Sequence, residues 1–279
     1  MATETAAPHV TVIRPSRGWV NLHLKELWAF RELLFFLMWR DIKVRYKQTV
    51  IGIGWAVIQP LFTVLVFSLL FGTLAKIPSN GLPYPVFLYS AMLPWSLFAT
   101  GLSSGSTSLV ANQRLVTRVY FPRLVLPIAA VLGSLVDFVV AFAVFLVLML
   151  YFGILPTVAI VTLPLFIAIA LFSAIGIACW LSAIDARYRD VRYALPFLTQ
   201  VWYFATPIIY PVSFVPEGWR WILGLNPMTV VVEGFRWALL GQPLDVGFTP
   251  LLSLTLVAVL FVSGLFYFRR AERVFADMV

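Results

Sequence analysis

The sequence predicts an all-α integral membrane protein with six transmembrane helices, an N-terminal amphipathic interface helix and short re-entrant periplasmic helices. Three observations lead there. Hydrophobic residues make up 61% of the 279 positions and charged residues 11%, against about 45–50% and about 25% in soluble domains. The apolar residues gather into runs long enough to cross a bilayer. The basic residues fall on one alternate set of the loops between those runs. A body of this size cannot hide so much apolar surface from water, which excludes a soluble enzyme, a disordered chain and a collagen-like fibre.

Residues 1–22 are mixed and polar, with Pro8, Pro15 and Gly18. They read as a loosely ordered cytoplasmic tail and lack the basic–apolar–small order of a cleaved signal peptide. Residues 23–50 form a second unit. Its first part, HLKELWAFRELLFFLMWR at 23–40, is too short and too charged to span. Leu24, Leu27, Trp28, Leu34, Phe35 and Met38 recur near helical spacing, with Lys25, Glu26, Arg31 and Glu32 largely elsewhere. That pattern predicts an amphipathic helix along the inner leaflet. It either anchors the first span or also touches a cytoplasmic partner. The basic connector DIKVRYK at 41–47 would sit among anionic headgroups, each Lys or Arg contributing roughly 1 kcal/mol.

Residues 51–279 read as the membrane domain, with a cytoplasmic C-terminus. The run at 53–75 would reach about 35 Å as a helix, enough for a hydrocarbon layer of about 30 Å. Further runs occupy 85–110, interrupted by Pro94, then 124–152 and 156–184. A fifth starts near Ala194 and becomes irregular at Pro207 and Pro211, and the last covers 248–268. The apolar stretch after Pro227 ends at Gly241, a length suited to a re-entrant or interfacial segment. Charge decides against counting it as a seventh span. With six spans, 17 of the 20 lysines and arginines lie on one side, leaving only Lys76, Arg220 and Arg236 opposite. The positive-inside bias makes that side cytoplasmic and puts both termini there.

Two cytoplasmic segments stand out. NQRLVTRVYF at 112–121 offers Leu115, Val119 and Tyr120 as a small apolar face beside Arg114 and Arg118. It suits either a docking helix or a plain loop. DARYRDVRY at 185–193 is compact and charged, as a topology signal or a second contact would be. Arg40, Lys43, Arg45 and Lys47 could meet lipid headgroups or a diphosphate. Asp137 lies mid-span; a carboxylate there costs about 2.5–3.5 kcal/mol on insertion scales and should face protein or water. A helix-to-helix hydrogen bond explains it more simply than a proton relay, which would need partners within the spans. Aromatics concentrate at Phe197, Trp202, Tyr203, Phe204, Tyr210, Phe214, Trp219 and Trp221, around Pro207, Pro211 and Pro216. They form either a lipid-facing belt or the wall of a path for sugar rings, whose C–H faces suit aromatic rings.

Several chemistries lack their residues. There is no GxxxxGK[ST] phosphate loop and no HExxH. The single cysteine, Cys179, and the two histidines, His9 and His23, form no metal-ligand pattern. The basic excess belongs to membrane topology, so no nucleic-acid partner is expected.

In this order, four stretches carry a resemblance over about residues 24–278: LKELWAFRELLFFLMWRDIKVRYKQTVIGIGWAVIQP; LPWSLF with RVYFPRLVLP; ARYRDVRYALPFL; and TPIIYPVSFVPEGWRWILGLNPMT with EGFRWALLG. The chain resembles Wzm-type permease subunits of polysaccharide-exporting ABC transporters, related to the teichoic-acid export permeases. The resemblance implies a homodimer in the bacterial inner membrane with two cytoplasmic ATPase subunits, which bind ATP and magnesium while this chain holds no cofactor. It implies a coupling helix at 112–121, with Asn112, Gln113, Arg114, Leu115, Arg118, Tyr120 and Phe121, supplemented by Arg187 and Arg189. It implies gate helices within 213–240 and a glycan on a polyprenyl diphosphate lipid as substrate, passing near Trp202, Tyr203, Phe204, Tyr210 and Trp219. The alternatives are an ABC exporter of small lipids or drugs, or a membrane-embedded enzyme that modifies glycans or lipids.

Overall fold

The computed structural model describes residues 24–47, 52–244 and 249–272, so the expected tail at 1–22 lies outside the described residues. Those residues form helices and connecting turns, with no strand among them. Two short helices open the chain, α1 (Leu24–Ala29) and α2 (Arg31–Lys47). The expected interface helix is thus broken at Phe30, and its second half runs on through the basic connector. Next come α3 (Trp55–Phe67), prolonged by a π-helical turn at Ser68–Leu74, α4 (Tyr84–Ala111), α5 (Gln113–Arg118), α6 (Val125–Tyr151) and α7 (Leu163–Asp185). The remainder is α8 (Val191–Ala205), α9 (Glu217–Gly224), α10 (Pro227–Leu240) and α11 (Thr249–Glu272).

Among the described residues, five stretches are long and apolar enough to cross a membrane: Trp55–Leu74, Tyr84–Ala111, Val125–Tyr151, Val158–Asp185 and Pro250–Glu272. They coincide with five of the six expected runs. The remaining run begins as α8, whose 15 residues extend about 22 Å before the chain breaks at Thr206.

α4 is the central post, buried along most of its length between α6, α7 and α10. Small residues let its neighbours come close. A Cβ on Gly105 would lie 2.7 Å from the Ala178 Cβ of α7, and one on Gly101 3.1 Å from the Ser134 Oγ of α6. The tightest crossing joins α7 and α11. A Cβ on Gly264 would stand 2.2 Å from the Gly176 carbonyl oxygen, so the two backbones touch there. Lipid tails are as apolar as leucine, so such close van der Waals packing is what holds membrane helices together. Trp180 stacks on Tyr267 at 4.0 Å and donates to Ser263 Oγ at 3.2 Å along the same seam.

Three links gather the ends of distant elements. Arg269 of α11 pairs with Glu26 of α1 at 3.6 Å. Arg123, just before α6, donates its backbone N–H to Glu272 at 3.1 Å. Arg40 of α2 donates to Asn112 between α4 and α5 at 2.6 Å. The start of the described chain, the α4–α6 connection and the end of α11 therefore share one end of the bundle.

Candidate functional site

The segment 112–121 projects from that shared end. Asn112 stops α4 and its amide donates to the Ser108 carbonyl at 2.9 Å. A single helical turn, α5, follows, and Pro122 prevents its continuation. Val116 and Phe121 are buried and hold the turn down, with Leu115 half-buried. Gln113, Arg114, Arg118, Val119 and Tyr120 are exposed, Tyr120 at 72%. Of the expected apolar face, Val119 and Tyr120 point away from the body while Leu115 packs against it. Phe121 is an anchor and offers no outer surface.

Arg187 and Arg189 are also exposed, in the turn between α7 and α8. Arg187 lies over the Tyr188 ring at 5.3 Å. The neighbouring Arg192 has a structural partner, the buried Asp185 carboxylate, at 3.0 Å. That pair fixes the turn and leaves the other two guanidinium groups outward.

The basic connector divides in two. Lys43 and Lys47 are exposed and, with Phe36, Arg40 and Val44, line an open pocket of about 330 Å³. Two aliphatic stems and an aromatic ring beneath ammonium groups suit a headgroup boundary. Arg40 also holds Asp41 at 2.7 Å and Asn112. Arg45 turns inward to the Asp137 carboxylate of α6, and the Tyr46 hydroxyl donates to the same carboxylate. Burial, and then the bond to Asp137, push the Tyr46 phenol up to about 12, so it stays a donor. Asp137 thus finds its partners on the helix outside the spans. Nothing within the spans signals this link, because both partners lie on α2.

The aromatic cluster also divides. Trp202 and Tyr203 pack edge-on against Trp95, and Trp202 against Phe98 of α4. Trp202 Nε1 donates to Asn226 Oδ1 at 2.9 Å, the same oxygen that caps α10 through the Met228 N–H. The Asn226 amide reaches Thr206 Oγ1 at 2.8 Å. Trp202 is therefore a strut between α8 and the short pair α9–α10. Tyr210 is half-buried, with its hydroxyl on the Phe204 carbonyl at 3.2 Å. Phe197, Phe204, Phe214, Trp219 and Trp221 are the exposed members of the cluster.

Beneath them lies a feature the sequence did not reveal. Arg236 of α10 is 1% exposed and donates to the carbonyls of Pro207 at 2.7 Å and Ile208 at 2.8 Å. It pairs with Glu233 at 2.7 Å and lies 3.7 Å over the Phe87 ring. Non-helical backbone at membrane depth must find partners in protein. The arginine supplies them where α8 breaks, and Gly241, at φ +68°, closes α10 with the left-handed cap that glycine adopts freely.

A basic platform beside a helical turn, at one end of a bundle whose described residues include five membrane-length apolar helices, marks a multi-pass membrane protein. The chain belongs to the ABC-2 type transporter family, whose model matches residues 32–240. It is 31% identical to the O-antigen export system permease protein RfbA of Myxococcus xanthus, over 92% of this chain and 98% of that one. It is 26% identical to a protein of the same name from Klebsiella pneumoniae, covering 89% and 95%. With the polysialic acid transport protein KpsM of Escherichia coli it shares 25% identity over 69% and 75%.

Proposed function

We propose that this chain is the membrane-spanning subunit of an ABC transporter that exports a polysaccharide across the bacterial inner membrane. The observation that carries the reading is its similarity, over nearly the whole of both chains, to a permease named for O-antigen export. The substrate would be a glycan carried on a polyprenyl diphosphate lipid. A homodimer of this chain forms the passage, and two cytoplasmic ATPase subunits bind ATP and magnesium and supply the work.

The chain crosses six times with both ends in the cytoplasm. Two features support that count. Arg123 and Glu272 meet at one end of the bundle, so the path between them crosses an even number of times. That path holds three long helices, α6, α7 and α11, and α8 supplies the fourth crossing. The exposed arginines Arg114, Arg118, Arg187 and Arg189 lie at that same end, as the positive-inside bias asks of a cytoplasmic face.

In operation, ATP closes the two ATPases against α5, whose outward surface is Arg114, Arg118, Val119 and Tyr120. Asn112 passes the displacement both up α4 and, through Arg40, into α2. Lys43 and Lys47 attract the diphosphate at the inner leaflet. The polymer leaves past the exposed rings of Phe204 and Trp219 beside the re-entrant helices. Charge reversal at Arg114 and Arg118 tests the coupling step. Insertion should persist while ATPase association and surface glycan fall by about tenfold or more, since several charge-assisted contacts are lost together. Normal export in that variant would remove the docking role.

A further inference from the structure

Between α3 and α4 lies an open cleft of about 660 Å³ whose lining is unusual for a membrane helix pair. Ser96, Thr100, Ser103, Ser104 and Thr107 recur along one side of α4 at helical spacing. All but Thr107 line this cleft, and Thr107 and Ser104 continue into an adjoining hollow that reaches Asn112. From Asn112 to Ser96 the track climbs about 24 Å. Across the gap α3 presents Trp55, Gln59 and Thr63. Arg45, Tyr46 and Asp137 form part of the wall.

Facing polar groups in a lipid setting normally draw their helices together until they pair. Here they do not. Gln59, Thr100, Ser103 and Ser104 have no side-chain hydrogen bond among the described residues. The helices stand apart over a space far larger than a few side chains need, and a hydrocarbon filling would leave those groups without partners. Water or a hydroxyl-rich molecule would supply those partners.

The charges narrow the choice. Arg45 is already neutralised by Asp137, so an entering diphosphate would meet a carboxylate beside the guanidinium. A neutral polyol meets acceptors and donors together: the carboxylate accepts from its hydroxyls, and Arg45, Gln59 and the serines complete the shell. Half of the Trp55 surface is exposed and offers a flat apolar face of the kind that sugar C–H edges cover. Given the export activity proposed above, we infer that this cleft is a sugar-binding subsite within each protomer, holding one or two neutral sugar units of the polymer as it enters from the inner leaflet.

Single cysteines report on this directly, because the native Cys179 is fully buried and its thiol silent. Ser103→Cys and Gln59→Cys chains, each with the partner ATPase, are exposed to a small water-soluble maleimide in inverted membrane vesicles. One set of vesicles comes from cells making the polymer, with translocation arrested by a non-hydrolysable ATP analogue. The other comes from cells blocked at the first sugar transfer. Both positions should react without polymer and slow by about tenfold with it, while Leu65→Cys, exposed on another face of α3, stays unreactive to this reagent. Equal rates in both sets would overturn the subsite, as would no reaction in either. Gln59→Leu gives an independent reading. Gln59 is exposed, so the change leaves packing intact, yet export should fall about fivefold for the lost sugar contacts; unchanged export would also overturn the subsite. Deleting the whole chain separates the two ideas. Surface polymer that survives the deletion defeats the export reading itself, whereas polymer that vanishes on deletion, with equal labelling rates, defeats only the cleft.

Discussion

α3 and α4 follow one another and are both apolar enough to cross a bilayer, yet they are built oppositely. α4 is buried along most of its length, wedged by Gly101 and Gly105 against α6 and α7. In α3 only Val64 is buried, while Trp55, Phe62 and Leu65, with Leu69 of the following π turn, are exposed, and that turn and Pro60 interrupt the regular ladder. The first is a fixed post. The second leans on the body at a few points and borders a polar gap. A helix so lightly held leaves a face open to lipid or to another protein. Hydropathy sees the two as equals; packing separates them.

Changes in the fixed half should cost most. Arg236→Ala leaves Glu233 buried without its partner and two carbonyls orphaned, an expected loss of about 3–5 kcal/mol. Thermal unfolding of the purified protein in detergent would report it. The double change Arg236→Met with Glu233→Leu should recover much of that loss, because it removes both charges together. Next is Gly264→Leu, which drives a side chain into the α7 backbone. An expected destabilisation of about 1–3 kcal/mol or more would appear in the same melt.

The loosely held half should respond differently. Asp137→Asn breaks the link between α2 and α6, but the pair is partly exposed, so stability should fall by only about 1 kcal/mol. Its effect on export should exceed its effect on unfolding, because it frees the helix that carries Lys43 and Lys47. An equal loss in both would put α2 with the fixed half. Smallest of all, Leu65→Ala should change the melting of detergent-separated protomers by no more than about 0.5 kcal/mol. If the same change loosens the proposed dimer, as chemical cross-linking would show, this face of α3 is where the copies would meet.

Much of this plan was legible beforehand, and the exceptions have physical causes. The long runs at 53–75, 85–110, 124–152, 156–184 and 248–268 became membrane-length helices because lipid enforces continuous helical hydrogen bonding over any apolar stretch of that length. The short helix after the break in α8 was readable from Pro227 and Gly241, which bracket its 14 residues. The roles of single residues were less readable. Arg45 and Lys47 look alike in sequence, but helical rotation turns one toward Asp137 and leaves the other outside. Trp202 and Phe204 sit two apart in α8, and only the first faces Asn226. The partners of Arg236 are chiefly backbone carbonyls, which no residue type announces; the Glu233–Arg236 spacing of three was the one available sign.

The central claim is a division of labour, with the passage in this chain and the nucleotide chemistry in another. The most direct measurement is ATP hydrolysis in proteoliposomes containing this chain alone, the partner ATPase alone, or both, with movement of the lipid-linked glycan followed in parallel. Under that division this chain alone hydrolyses no ATP, and glycan moves only where both subunits and ATP are present. Hydrolysis by this chain alone, or glycan movement without the ATPase, would contradict it.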